Sequence, residues 1–110
     1  MENFYSVAHV LEDIRKRNFP YLEFIRVPSM SCGVYALSAG ADDLQRPHKS
    51  DEIYYVVSGT ASMVLNSNGA ESRRAIAAGD VIFVAGGNEH RFIEIEHDLV
   101  VLVIFAPPEG

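Results

Sequence analysis

Tryptophan is absent from this chain of 110 residues, and cysteine occurs once, at Cys32. A lone thiol excludes an intrachain disulfide and any zinc site built from several thiolates. Within an apolar strand it reads as a small core residue. Basic residues are few: nine Lys and Arg stand against fifteen Asp and Glu, a formal charge of −6. Binding to nucleic acid or to an anionic membrane relies on a clustered basic face, so neither is expected as a partner. The aromatic residues do not alternate with basic ones as an RNA-stacking face requires. Long hydrophobic runs are missing as well. The longest, Leu99 to Ala106, is less than half a membrane span. The polar, mixed-charge N-terminal stretch holds no signal-peptide core, and a cytoplasmic protein is expected. No Gly-x-Gly-x-x-Gly, P-loop or Gly-x-Ser-x-Gly occurs, which sets aside dinucleotides, Mg-nucleotides and a hydrolase nucleophile elbow.

What is present suits one small globular domain over residues 1–110, with 48% hydrophobic and 22% charged residues. One helix is predicted, over about residues 6–18. Val7, Val10, Leu11 and Ile14 follow helical spacing, Ser6 caps the start, and Arg15, Lys16 and Arg17 suit the carbonyl end. The remainder reads as short strands. Tyr21 to Val27 and Cys32 to Ala39 come first. Glu52 to Val57 and Thr60 to Leu65 follow, split by Ser58-Gly59. After the Asn66-Ser67-Asn68-Gly69 turn come Arg74 to Ala78, Val81 to Val84, Arg91 to Ile95 and Leu99 to Phe105. Evenly spaced turns without intervening helices predict an all-β sandwich or barrel.

Histidines and carboxylates carry the chemistry. His48 and Glu52 stand four apart, as do His90 and Glu94. Along a strand, residues four apart are separated by roughly 13 Å, whereas two ligands of one ion must each lie within about 2.2 Å of it. His48 and Glu52 share an ion only if Lys49-Ser50-Asp51 bends. Arg91-Phe92-Ile93 reads as continuous strand, which keeps His90 and Glu94 apart. His9 and His97 read as surface residues.

Two stretches resemble the motifs of small single-domain cupins, which are double-stranded β-helix (jelly-roll) barrels. The first, over residues 40–59, runs Gly40, five residues, Arg46-Pro47-His48, three residues, Glu52, six residues, Gly59. It keeps the spacing of the cupin pattern Gly-x5-His-x-His-x3–4-Glu-x6-Gly, with Arg46 at the first His. The second, over residues 79–94, runs Gly79, five residues, Ala85-Gly86-Gly87, two residues, His90, three residues, Glu94. It keeps the spacing of Gly-x5-Pro-x-Gly-x2-His-x3-Asn, with Ala85 for Pro and Glu94 for Asn.

The resemblance implies that His48, Glu52 and His90 face the barrel interior and bind one divalent transition metal: Fe, Mn, Ni or Zn. Two imidazoles and a carboxylate suit such ions. A guanidinium does not ligate, so the site is expected to have one imidazole fewer than the family pattern. Arg46, Glu94 and Tyr54 are candidates for catalytic roles: Arg46 as an anion contact at the pocket mouth, Glu94 as an acid or base, and Tyr54 on the same strand face as Glu52. Phe92, two residues from His90, reads as pocket lining or core. The expected function is that of a metal-dependent enzyme with dioxygenase-, isomerase- or lyase-type chemistry on a small polar or anionic molecule. A non-catalytic ligand-binding cupin and a structural barrel with a degenerate metal site are the alternatives. A homodimer is expected, paired through the N-terminal helix and the Tyr21 to Val27 strand.

Overall fold

The computed structural model describes residues 2–109. Helix α1 spans Val7–Lys16. The Ser6 hydroxyl caps it by accepting from His9 N, and Arg15 and Lys16 occupy the last turn. Six strands follow: β1 (Tyr21–Val27), β2 (Met30–Leu37), β3 (Asp51–Ser67), β4 (Ala70–Ala77), β5 (Val81–Val84) and β6 (His90–Ala106). They pair antiparallel in the order β1-β2-β6-β3-β4, and β5 joins the N-terminal half of β3. Asn68-Gly69, both at positive φ, closes the β3–β4 hairpin as a two-residue loop. The result is the jelly-roll barrel, with one short helix outside it.

The sequence reading is corrected at two places. Ser58-Gly59 and His97-Asp98, expected as turns between separate strands, lie inside the 17-residue strands β3 and β6. The β3–β6 register shifts between Val56 and Ser58, again before Thr60, and again before Ser62. These bulges bend both strands without breaking them, so each serves both halves of the barrel. Gly59 makes the bend possible: its φ is +94°, and a Cβ there would lie 2.2 Å from the Asp98 carbonyl oxygen.

Alternation in the two long strands builds the interior. Tyr54 and Val56 of β3 face Phe92, Val101, Val103 and Phe105 of β6 inside the barrel. A second cluster lies on the outer face, where Val10 and Ile14 of α1 cover Val34 and Val100. Each such burial stabilises by about 1.5–3 kcal/mol. This docking, more than intrinsic propensity, holds a ten-residue helix in place. Cys32 is buried, as expected. Glu52 breaks the apolar pattern. It points inward on the same face as Tyr54, with only 2% of its surface exposed.

Candidate metal centre

Three elements deliver the site. His48 comes from the loop before β3, Glu52 from the start of β3, and His90 from the first residue of β6. The chain does bend between His48 and Glu52, as sharing an ion requires. The turn ahead of His90 is fastened to the loop that carries His48. Gly87 N donates to the His48 carbonyl at 2.7 Å, and Gly86 N donates to Asp51 Oδ1 at 3.0 Å. A Cβ at Gly86 would sit 2.3 Å from the Lys49 carbonyl oxygen, so the approach needs glycine. Potential ligand atoms of His48, Glu52 and His90 lie within 4.8 Å of one another.

The other candidates divide. Arg46 is exposed and lines a second cavity with Asn66, Glu71 and Glu89, which His90 and Gln45 also border, so the two cavities meet at the ligand cluster. Glu94 is exposed in a left-handed conformation (φ 51°) and pairs with Arg73 on the outer surface. It therefore stands apart from the three clustered side chains. Tyr54 is with them. Its hydroxyl donates to Gln45 Oε1 at 2.8 Å and lies 3.1 Å from His90 Nε2. Gln45 was missed in the sequence, where it has no motif position. Its Oε1 also lies 3.2 Å from His48 Nε2 and 3.1 Å from His90 Nε2.

The donor set fits a divalent cation. His90 Nδ1–H donates to the Asn88 carbonyl at 2.9 Å, which leaves the lone pair of the neutral ring on Nε2. That nitrogen faces Glu52 Oε1 at 3.2 Å, a buried oxygen with no hydrogen-bond donor. An unpartnered buried carboxylate oxygen is costly, and a cation between it and the imidazoles would satisfy all of them.

Without metal, a proton on His90 is favoured in its place. Burial opposes charge on His90, but the facing Glu52 carboxylate and the Asn88 carbonyl outweigh burial and hold its pKa above the ordinary 6.5. A raised folded-state pKa gives stability that is fully present below the unfolded value and lost as pH rises through the folded one. A metal competes with the same proton, so its binding strengthens as pH rises. Thermal melts at about pH 6 and about pH 8.5 should therefore diverge. Stability from this group falls with pH in chelated protein, and the gap between metal-loaded and chelated protein widens. A gap that narrows with pH would contradict the assignment.

A cavity of about 280 Å³ reaches His48 and Glu52. Tyr21, Tyr35, Val103 and Phe105 form much of its wall, with Glu23 and Glu109 also lining it. Burial pushes the Tyr21, Tyr35 and Tyr54 hydroxyls well above their ordinary pKa, helped by nearby carboxylates, so all three stay protonated. Tyr21 Oη is buried without a partner. Glu109 ties the C-terminal segment over the His48 loop, accepting from Lys49 N and Ser50 N at 3.1 and 3.0 Å. Burial would raise its pKa, but these backbone donors outweigh it and hold the carboxyl below its usual value.

Comparison with known proteins agrees with this architecture. The chain is 48% identical to an uncharacterized protein of Streptomyces coelicolor, SCO3923, over 90 residues, 82% of each chain. Its fold is similar to that of KdgF from Halomonas sp. (TM-score 0.68, 24% identity, 79% of this chain and 76% of that one). It is also similar to part of the Bacillus subtilis oxalate decarboxylase, a protein with Mn(II) centres. That match has a TM-score of 0.68 and 21% identity, and covers 73% of this chain but 22% of that one. The sequence profile of the cupin domain matches residues 33–105. The chain belongs to the cupin domain family.

Proposed function

We propose that this cupin holds one divalent transition metal (Fe, Mn, Ni or Zn) through His48, Glu52 and His90 and uses it as a small-molecule enzyme. The observation that carries the reading is Glu52 Oε1, buried without a hydrogen-bond donor and 3.2 Å from His90 Nε2. A structural barrel with a degenerate site has no reason to keep an unpartnered carboxylate in its interior. A metal bound there would supply Lewis acidity towards a substrate oxygen. The chain supplies the rest. Tyr54 keeps a proton at its hydroxyl beside the ligand cluster, and the Tyr21 side chain forms part of the cavity wall. Val103 and Phe105 keep that wall apolar.

The substrate we favour is small and polar or anionic, with its uncharged part in the carboxylate-lined cavity. Glu23, Glu52 and Glu109 line the cavity, and among the described residues no Lys or Arg does. Arg46 and Arg91 line the second cavity, which His90 and Gln45 also border, so an anionic group would meet positive charge on that side of the cluster. The alternative, a cupin that binds its ligand without turnover, draws support from the protonated tyrosines and from Glu109, whose carboxylate is engaged by backbone donors. Small hydroxy and carbonyl compounds should be screened with chelated and metal-reloaded protein. Turnover that disappears on chelation and returns with metal is the expected result. Saturable binding with no turnover would establish the alternative.

A homodimer in the cytoplasm is the assembly we propose. No helix among the described residues is long and apolar enough to cross a membrane. Helix α1 and β1, expected to mediate pairing, pack into their own chain's outer cluster. Phe4 and Phe19, either side of α1, are exposed, and a further uncovered apolar face lies on β3 and β5, where Ile53 opposes Phe83 and Tyr55 opposes Val81. Light scattering should give about twice the 12.2 kDa chain mass, and a value near 12.2 kDa at micromolar concentration would rule the dimer out.

A further inference from the structure

We propose that Gln45 is the fourth protein ligand of the metal, through its side-chain oxygen, and that Asp43 fixes the amide in the ligating orientation. The inference rests on the metal site proposed above and adds a residue at a position that the first motif leaves unspecified. Atoms bound to one ion at about 2.0–2.2 Å lie roughly 3.0–3.5 Å from their neighbours around it. Three separations among the polar atoms have this length. Gln45 Oε1 is 3.2 Å from His48 Nε2 and 3.1 Å from His90 Nε2, and His90 Nε2 is 3.2 Å from Glu52 Oε1. They are consecutive edges of a coordination shell.

The identity of the amide atom follows from its other end. Gln45 Nε2 donates to Asp43 Oδ2 at 2.6 Å, so the oxygen is the atom turned towards the imidazoles. Asp43 is itself anchored: Phe92 N donates to its Oδ2 at 2.8 Å and the Tyr35 hydroxyl to its Oδ1 at 2.6 Å. Tyr54 reaches Gln45 Oε1 as a donor, which orients the oxygen further. Arg46, at the motif's first His position, is exposed, whereas Gln45 beside it reaches both imidazoles. An amide oxygen in place of an imidazole makes the set two nitrogens and two oxygens. This shifts relative preference towards harder ions such as Mn and Fe(II).

Titration of Co(II) into metal-stripped protein, followed by calorimetry and by visible absorption, tests the proposal on wild type, Gln45→Ala, Gln45→Glu, Asp43→Asn and His90→Ala, each first shown to fold by circular dichroism. Gln45→Ala should bind about tenfold or more weakly, with a shifted Co(II) spectrum as water replaces the amide. Gln45→Glu, which keeps an oxygen at the same reach, should retain binding. Asp43→Asn should fall between wild type and Gln45→Ala with little spectral change, as a positioning residue does. Wild-type affinity and spectrum in Gln45→Ala, alongside lost binding in His90→Ala, would overturn the role of Gln45 and leave the three-residue site standing. Weakened binding with an unchanged spectrum in Gln45→Ala would also overturn ligation. Unchanged binding in His90→Ala would overturn the site reading itself.

Discussion

Replacing His90 with alanine is expected to weaken divalent-metal binding by about two orders of magnitude. A four-ligand structural zinc site binds with about 10–16 kcal/mol, so one ligand contributes about 3 kcal/mol. His90 is suited to carry a full share. It is 5% exposed, its Nδ1–H is held by the Asn88 carbonyl, and its Nε2 faces both Glu52 and Gln45. The loss should not come from collapse of the barrel. His90 begins β6, and the Phe92 side chain two residues on continues to fill the interior. Calorimetric titration of chelated wild type and His90→Ala, with melting curves of both, separates the two causes. Equal metal affinity in the two proteins would place the site elsewhere.

The largest effect on stability is expected at Gly59. Gly59→Ala puts a side chain at φ +94° and a Cβ 2.2 Å from the Asp98 carbonyl oxygen. An unfavourable backbone region costs about 1–3 kcal/mol, and overpacking costs about 1–3 kcal/mol more. The clash falls where β3 and β6 bend together, so relief would have to move both long strands. Urea unfolding should show a loss of about 3 kcal/mol or more. Gly40→Ala, where φ is also positive but no atom lies within 4 Å of the added Cβ, should lose clearly less. Similar losses in the two variants would mean that the close approach of β6 does not matter.

The two glycine-marked stretches show what local sequence reveals and where tertiary structure overrides it. Strands β1 and β5 fall on the expected residues, because each is a short run closed by proline or glycine. Ser58-Gly59 and His97-Asp98 have the composition of turns, yet become bulges within continuous strands. No local pattern distinguishes the two outcomes, since the choice depends on the partner strand lying alongside. The clustering of His48, Glu52 and His90 was legible through motif spacing, because turns of fixed length carry side chains to fixed places. Glu94 was expected further along the His90 strand face. The bulge instead turns it outward to Arg73. Gln45 and Arg46 adjoin in a loop, where no two-residue period says which side chain points inward. The anchoring of Gln45 through Asp43 to Phe92 N spans distant parts of the chain and is invisible to spacing alone.

Anomalous X-ray scattering from crystals of protein loaded with Mn or Zn tests the central claim most directly. One strong anomalous peak is predicted within about 2.0–2.3 Å of His48 Nε2, Glu52 Oε1 and His90 Nε2. A metal-replete crystal with its peak at other residues, or with none at these three, would contradict the account.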